Sequence, residues 1–304
     1  MRFLLFIVGI LAVAPAFAED LSLGSAISKT RASCSGIAGE LNHIKTMAGI
    51  NTAITGVGTA AAGGALAAGI AKQKADRLAE EIAKQLDSID DMSDAEFLAL
   101  LGKLAEYKEN KEQALKDAQA EAEQKSKKLG NARTGLMAGN TAANIAGTAI
   151  AATNRADGDL MKKFSECVDA ANALGAAIGQ GRLDGAEESQ LAQAKKIQDT
   201  CAKLNLADLE KLNKRATGAM VSSGIGIATG ASGTITSAVA NTDKTRADDS
   251  DSGKQKEKNL NIASNVLAGV SAGASLAATV FNATQIAMAK KLIAAAEECE
   301  EAIK

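Results

Sequence analysis

Four long stretches of the chain carry no charged residue: Met47 to Ala71, Thr134 to Asn154, Ala216 to Asn241 and Asn259 to Ala289. Between them lie Lys, Glu, Gln and Ala mixtures in which apolar residues recur every third or fourth position, as in Leu78, Ile82 and Leu86. Both kinds of segment predict helix. The first stretch contains six Gly residues, each costing about 1 kcal/mol relative to Ala in a helix interior, so close packing has to offset them.

Spacing suggests where that packing falls. Small residues recur at every fourth position: Gly56, Ala60, Gly64 and Ala68 in the first stretch, then Gly135, Gly139, Ala143, Gly147 and Ala151 in the second. The third has Gly218, Ser222, Gly226 and Gly230, and the fourth Gly269, Gly273 and Ala277. Such rows read as glycine-zipper strips along which a second helix backbone can come close. The expected fold is all-α, an elongated bundle of long antiparallel helical hairpins with Gly/Ala-rich helix packing.

Shorter elements complete the reading. A helix is expected from Ser22 to Lys45, and the charged continuation of the first stretch should end at an acidic turn, Asp87 to Asp91. Ser93 and Glu96 form a capping box that starts a helix buried through Phe97, Leu100, Leu101 and Leu104. Another helix runs from about Asp159 to Ile178, a turn is expected at Gly179, Gly181 and Gly185, and Thr242 to Lys258 reads as a polar loop.

The N-terminus changes the picture of where the protein resides. Arg2, the apolar run Phe3 to Val13 and the small residues of Ala16-Phe17-Ala18 make residues 1–18 a signal peptide, which implies a protein exported to a bacterial periplasm or secreted. Export takes Cys34, Cys167, Cys201 and Cys299 into an oxidising space, where disulfides form. The order Cys, small-residue helix, return, small-residue helix, Cys occurs twice. Gly56-Val57-Gly58 also matches Gly224-Ile225-Gly226, and residues 131–139 match 261–269. The chain therefore reads as an internal repeat of two units, 19–182 and 183–304. Hairpins whose ends meet pair Cys34 with Cys167 and Cys201 with Cys299. The competing connectivity joins Cys167 to Cys201 and Cys34 to Cys299.

Candidate chemistry is sparse. One His, one Tyr and no Trp leave no Ser-His-Asp or Cys-His set and no aromatic platform for bases or sugars, and a net charge of -2 gives no electrostatic case for nucleic acid. His43 has no second ligand at metal spacing. Asp249, Asp251 and Gly253 only outline a calcium loop, because Leu260 stands where a bidentate Glu belongs. No catalytic residue, cofactor or metal is expected. Three functions are weighed: a disulfide-stabilised structural or interaction protein that binds another protein or itself, a membrane-inserting, pore-forming protein, and, least favoured because nothing assembles an acid, base or nucleophile, an enzyme. The first is favoured on composition, since Asn51, three Thr and many Gly dilute five large aliphatics in the first stretch and no Trp or Tyr marks the ends of the stretches.

Overall fold

The computed structural model describes residues 22–87, 111–246 and 250–304. The expected signal peptide, residues 88–91 of the expected acidic turn, the expected capping box at Ser93, the expected apolar face from Phe97 to Leu104, and Asp249 lie outside the described residues. Eight helices are described: α1 (Leu23–Cys34), α2 (Ile37–Asp87), α3 (Lys111–Thr153), α4 (Gly158–Leu183), α5 (Glu188–Cys201), α6 (Leu206–Ala240), α7 (Asp243–Arg246) and α8 (Asp251–Ala302). No strand occurs among the described residues. The protein is all-α.

Helix ends follow local chemistry. Ser22 caps α1 by accepting from the Ser25 N–H at 3.3 Å, and Asp157 caps α4 by accepting from Leu160 at 2.7 Å. The helix expected over 22–45 is broken at Ser35 and Gly36, and Gly36 takes the left-handed φ of 79° that glycine adopts without a Cβ penalty. Gly179 and Gly181 lie inside α4, so the turn is shorter than expected and centres on Gly185, with φ 74°. The polar segment 242–258 is also mostly not a loop. Its basic half is the first two turns of α8, started by Ser250, whose Oγ accepts from the Gly253 N–H at 3.0 Å.

Two compact units emerge, and they do not follow the expected boundary at 182/183. Among the described residues, the first unit gathers those up to His43 with Ala156–Lys211 and Met288–Lys304, and the second combines those of Ile44–Arg155 with those of Leu212–Ala287. The physical reason is that α2, α3, α6 and α8 associate along their uncharged stretches, so each sequence half gives one hairpin to the second unit. What remains of both halves forms the first.

The first unit has an apolar core of ordinary kind, with Ile37, Leu41, Leu160, Phe164, Leu174, Ile197, Leu209 and Leu292 each at most 3% exposed. Both disulfides lie in it. Cys34 pairs with Cys167 and Cys201 with Cys299, and the sulfurs of Cys34, Cys167 and Cys299 lie within 4.8 Å of one another. All four cysteines are buried. Because each is committed to a disulfide, this cluster is not a metal site. Near the chain end, Arg31 Nε donates to the Ile303 carbonyl, and Thr30 Oγ1 donates to Ala26 at 2.9 Å and Ala170 at 3.2 Å.

Candidate functional site

The second unit departs from ordinary packing. Its buried positions alternate three and four apart: Ala48, Asn51, Thr55, Gly58, Ala62, Ala65, Gly69 and Lys72 on α2, and Ser126, Gly130, Arg133, Met137, Asn140, Asn144, Gly147, Ala151 and Asn154 on α3. On α6 the series is Leu212, Ala216, Ala219, Ser223, Gly226, Gly230, Gly233, Ser237 and Ala240, and on α8 it runs from Asn261 through Ser264, Ala268, Ser271, Ser275, Ala278 and Asn282 to Gln285. This is a heptad seam.

The four-residue rows predicted from sequence therefore do not all face the seam. Successive residues turn about 100°, so a strict i, i+4 row drifts about 40° per step and leaves any straight contact line, whereas alternating steps of three and four stay close to it. Gly56, Gly135, Gly139, Gly269 and Gly273 meet nothing within 4 Å of an added Cβ, and Gly64 would meet only Leu136. Gly147, Gly218, Gly226 and Gly230 are in close contact with other helices. Gly58, Gly69, Gly130 and Gly233 also are, and only the heptad reading would have found them.

The side chains that fill the seam are polar. Asn140 Nδ2 donates to Ser271 Oγ at 2.5 Å, and Asn144 Nδ2 donates to Asn140 Oδ1 and to Ser275 Oγ, each at 2.9 Å. Asn51 Nδ2 donates to Asn282 Oδ1 at 3.1 Å, Asn154 Nδ2 to Gln285 Oε1 at 3.1 Å, and the hydroxyls of Thr279 and Thr55 lie 3.0 Å apart. Arg133, fully buried, is held by neutral oxygens: Ser237 Oγ at 2.8 Å, Asn261 Oδ1 at 2.9 Å and Asn265 Oδ1 at 3.2 Å. Lys72 Nζ, also buried, binds Asp76 at 2.6 Å and Glu257 at 3.0 Å. Among the described residues, every buried polar or charged side chain except Thr30 belongs to this unit.

The outward face is the converse. Ile50, Val57, Ile70, Ile145, Val221, Ile225, Ile235, Val239, Ile262, Val266, Val270, Leu276 and Val280 are 40–66% exposed, and the one other large exposed hydrophobic among the described residues, Leu183, is in the first unit. From Ile50 to Ile70 the exposed positions are these aliphatics with Ala53, Ala60, Gly63 and Ala67. From Ile262 to Ala287 they are likewise only aliphatics, Ala and Gly. Threonines on the flanks bond back to their own helices, as Thr52 to Ala48, Thr59 to Thr55, Thr141 to Met137 and Thr148 to Asn144, so they present methyl groups outward with the hydroxyl satisfied.

Charges lie in two planes. Gly147 opposes Asn51, Gly58 opposes Ala143 and Gly69 opposes Arg133, a register that brings Lys45 level with Arg155 and Lys72 level with Lys128. Gly226 against Asn144 and Gly233 against Met137 likewise bring Arg215 level with Arg155. The α3–α8 pairs Asn140–Ser271, Asn144–Ser275 and Asn154–Gln285 share one offset of 131, which brings Lys258 to the Lys128 level and Lys290 just beyond Arg155. Between the planes only Arg133 is charged, and at 1.5 Å per residue the interval from Lys128 to Arg155 is about 40 Å.

Neither a family model, nor a curated protein, nor a solved structure matches the chain. The distribution of polarity is what bears on function.

Proposed function

We propose that the second unit is a membrane-spanning four-helix bundle and that the protein is exported, with its disulfide-bonded unit on the oxidising side. The observation that carries this reading is the inversion of polarity: amides, hydroxyls and two cations inside, aliphatics outside. In water the hydrophobic effect drives the opposite arrangement. In a bilayer, polar side chains turn to the bundle interior and bond across helices, and small residues let the backbones approach.

Dimensions support the same reading. An interval of about 40 Å matches a bilayer with its headgroup regions, about 40–45 Å, around a hydrocarbon core of about 30 Å. Basic residues flank both planes. The helical run 23–84 and α8 each contain a window long and apolar enough to cross a membrane, and only 28% of each window is buried, unlike the core helix of a soluble protein. Each hairpin enters and leaves the second unit at the Lys45–Arg155 plane.

The competing reading is a water-soluble interaction protein whose apolar faces are covered by another protein or a second copy. Extraction of membranes from exporting cells with alkaline carbonate separates the two. Protein retained in the pellet and released by detergent supports the spanning bundle; protein in the aqueous extract overturns it and leaves the soluble assembly.

A further inference from the structure

The end of the bundle at Lys45 and Arg155 carries cations with nothing to balance them. Residues 44–75, 129–155, 212–242 and 259–287 contain no Asp or Glu, so within the second unit the charges of this plane are Lys45, Arg155, Lys214 and Arg215. Arg155, Lys214 and Arg215 are exposed and Lys45 is half-buried. Among the described residues none of the four makes an ion pair, and Glu210, one turn before Lys214, makes none either. The opposite plane differs in kind. There Lys72 is neutralised inside the protein by Asp76 at 2.6 Å and Glu257 at 3.0 Å.

The four cations can act in pairs. A Cβ on Gly147 would meet Asn51 and Thr55 of α2 and Ser223 of α6, so both helices lie against α3 about two turns from Arg155. Helices in such contact run about 8–10 Å apart, a gap that two long basic side chains bridge when both reach for one phosphate. Arg215 is positioned further. Its guanidinium lies over the Phe281 ring, 5.9 Å from the centroid, and that ring lies 3.1 Å from where a Cβ on Gly218 would stand. An aromatic face holds a cation without cancelling its charge, unlike a carboxylate.

The outward aliphatics begin one to two turns farther along, at Ile50 and Val221. A ligand that fits cations and aliphatics together has an anion at one end and hydrocarbon at the other. A zwitterionic headgroup brings its own cation towards these four, whereas a net-negative one does not. We propose that Lys45, Arg155, Lys214 and Arg215 bind the headgroup phosphates of anionic phospholipids of the phosphatidylglycerol kind. The proposal rests on the membrane-spanning reading and adds to it the lipid class and the leaflet, the one at the Lys45–Arg155 plane.

Lipid titration of the full-length, disulfide-intact protein in maltoside micelles tests it, read as the rise in unfolding temperature. Each basic residue near an anionic lipid surface contributes about fivefold in affinity. Dioleoylphosphatidylglycerol is therefore expected to bind about tenfold or more tighter than dioleoylphosphatidylcholine, with the ratio shrinking as salt screens the charges. The double variants Lys45→Gln/Arg155→Gln and Lys214→Gln/Arg215→Gln should each lose most of that ratio, while Lys125→Gln/Lys256→Gln, exposed at the opposite end, should keep it. Equal affinity for the two lipids, or a ratio that survives both double variants, overturns the proposal. Inorganic phosphate that raises the unfolding temperature as much as phosphatidylglycerol overturns the lipid assignment in favour of a free anion. Should a double variant not fold, the single variants Lys45→Gln and Lys214→Gln are read in the same way, and an unchanged ratio in both overturns the site. Failure of the membrane reading shows separately, as protein in the aqueous carbonate extract, whereas a protein retained in membranes with no lipid preference overturns this site alone.

Discussion

The amide of Asn144 sits against the bare backbone of Gly226, where an added Cβ would approach its Cγ, Oδ1 and Nδ2 to 2.7 Å. The amide cannot retreat, because its Nδ2 donates to the Asn140 carbonyl, to Asn140 Oδ1 and to Ser275 Oγ, each at 2.9 Å. Gly226→Ala is therefore expected to destabilise the bundle by about 2–4 kcal/mol, through overpacking and loss of buried hydrogen bonds. Gly139→Ala on the outward face of α3 meets nothing within 4 Å and should be neutral or stabilising by up to about 1 kcal/mol. Thermal unfolding of the two variants checks the contrast, and equal losses would return the packing face to the four-residue row.

Val266→Lys on the outer face distinguishes solvent from lipid. In water, replacing a half-exposed valine by lysine changes stability by no more than about 0.5 kcal/mol. Eight residues from Lys258 on a spanning helix, it should disfavour insertion, by less than the roughly 2.5–3.5 kcal/mol expected at a helix centre. The expected result is a lower carbonate-resistant fraction for V266K than for V266A. Unchanged retention of V266K would count against lipid contact at this face.

The buried Arg133 depends on three neutral oxygens. Asn261→Leu removes the acceptor at 2.9 Å and leaves a guanidinium donor unpaired, with an expected loss of about 2–3 kcal/mol. The double variant Arg133→Met/Asn261→Leu should recover part of that loss, since replacing both partners removes the unpaired charge. Denaturation of the four forms in detergent gives the coupling energy, and additive losses would show that the two side chains act independently.

Near the disulfides, the Asp208 carboxyl is held below the usual carboxylate range, first by the hydrogen bond from Lys211 Nζ at 3.0 Å and then by the charges of Lys211 and Lys291, the latter 3.5 Å away. A group depressed in the folded state contributes stability that is present above its unfolded pKa, about 3.9, and lost as pH falls through the folded value. Asp208→Asn should therefore lower stability slightly at neutral pH and flatten the acid limb of the unfolding curve below about pH 4. An unaltered acid limb would mean that these ion pairs contribute nothing.

Helices, the all-α class and the cysteine pairs were legible from local pattern: uncharged Ala-rich runs, apolar residues every third or fourth position, and two Cys-bounded hairpins. The seam was less so. In an ordinary bundle the apolar residues mark the buried stripe, but on α2 the aliphatics Ile50, Val57 and Ile70 face outward and Asn51, Thr55 and Lys72 face in. With large side chains absent from the contact, Gly and Ala occupy both faces and a four-residue row is as easy to find as the heptad. Gly69 lies in the seam because Asn265 and Arg133 from other helices occupy the space of its missing Cβ, which no local pattern records. Composition, likewise, counts Asn140 and Asn144 against a membrane helix, while their hydrogen bonds across the bundle remove most of that cost.

The Cys201–Cys299 bond joins residues 98 positions apart, and the unit holding both disulfides incorporates Met288–Lys304. A chain synthesised N-terminus first can join Cys34 to Cys167 before α8 exists, but Cys201 must wait for Cys299. Until then its nearest earlier thiol is Cys167, and a transient Cys167–Cys201 bridge is a natural trap. The cluster of sulfurs within 4.8 Å provides the escape, because an attacking Cys299 thiolate arrives beside the very bonds that have to be exchanged. Pairing of Cys201 is thus timed by the arrival of α8, and Cys299→Ser should leave the chain in mixed disulfide forms.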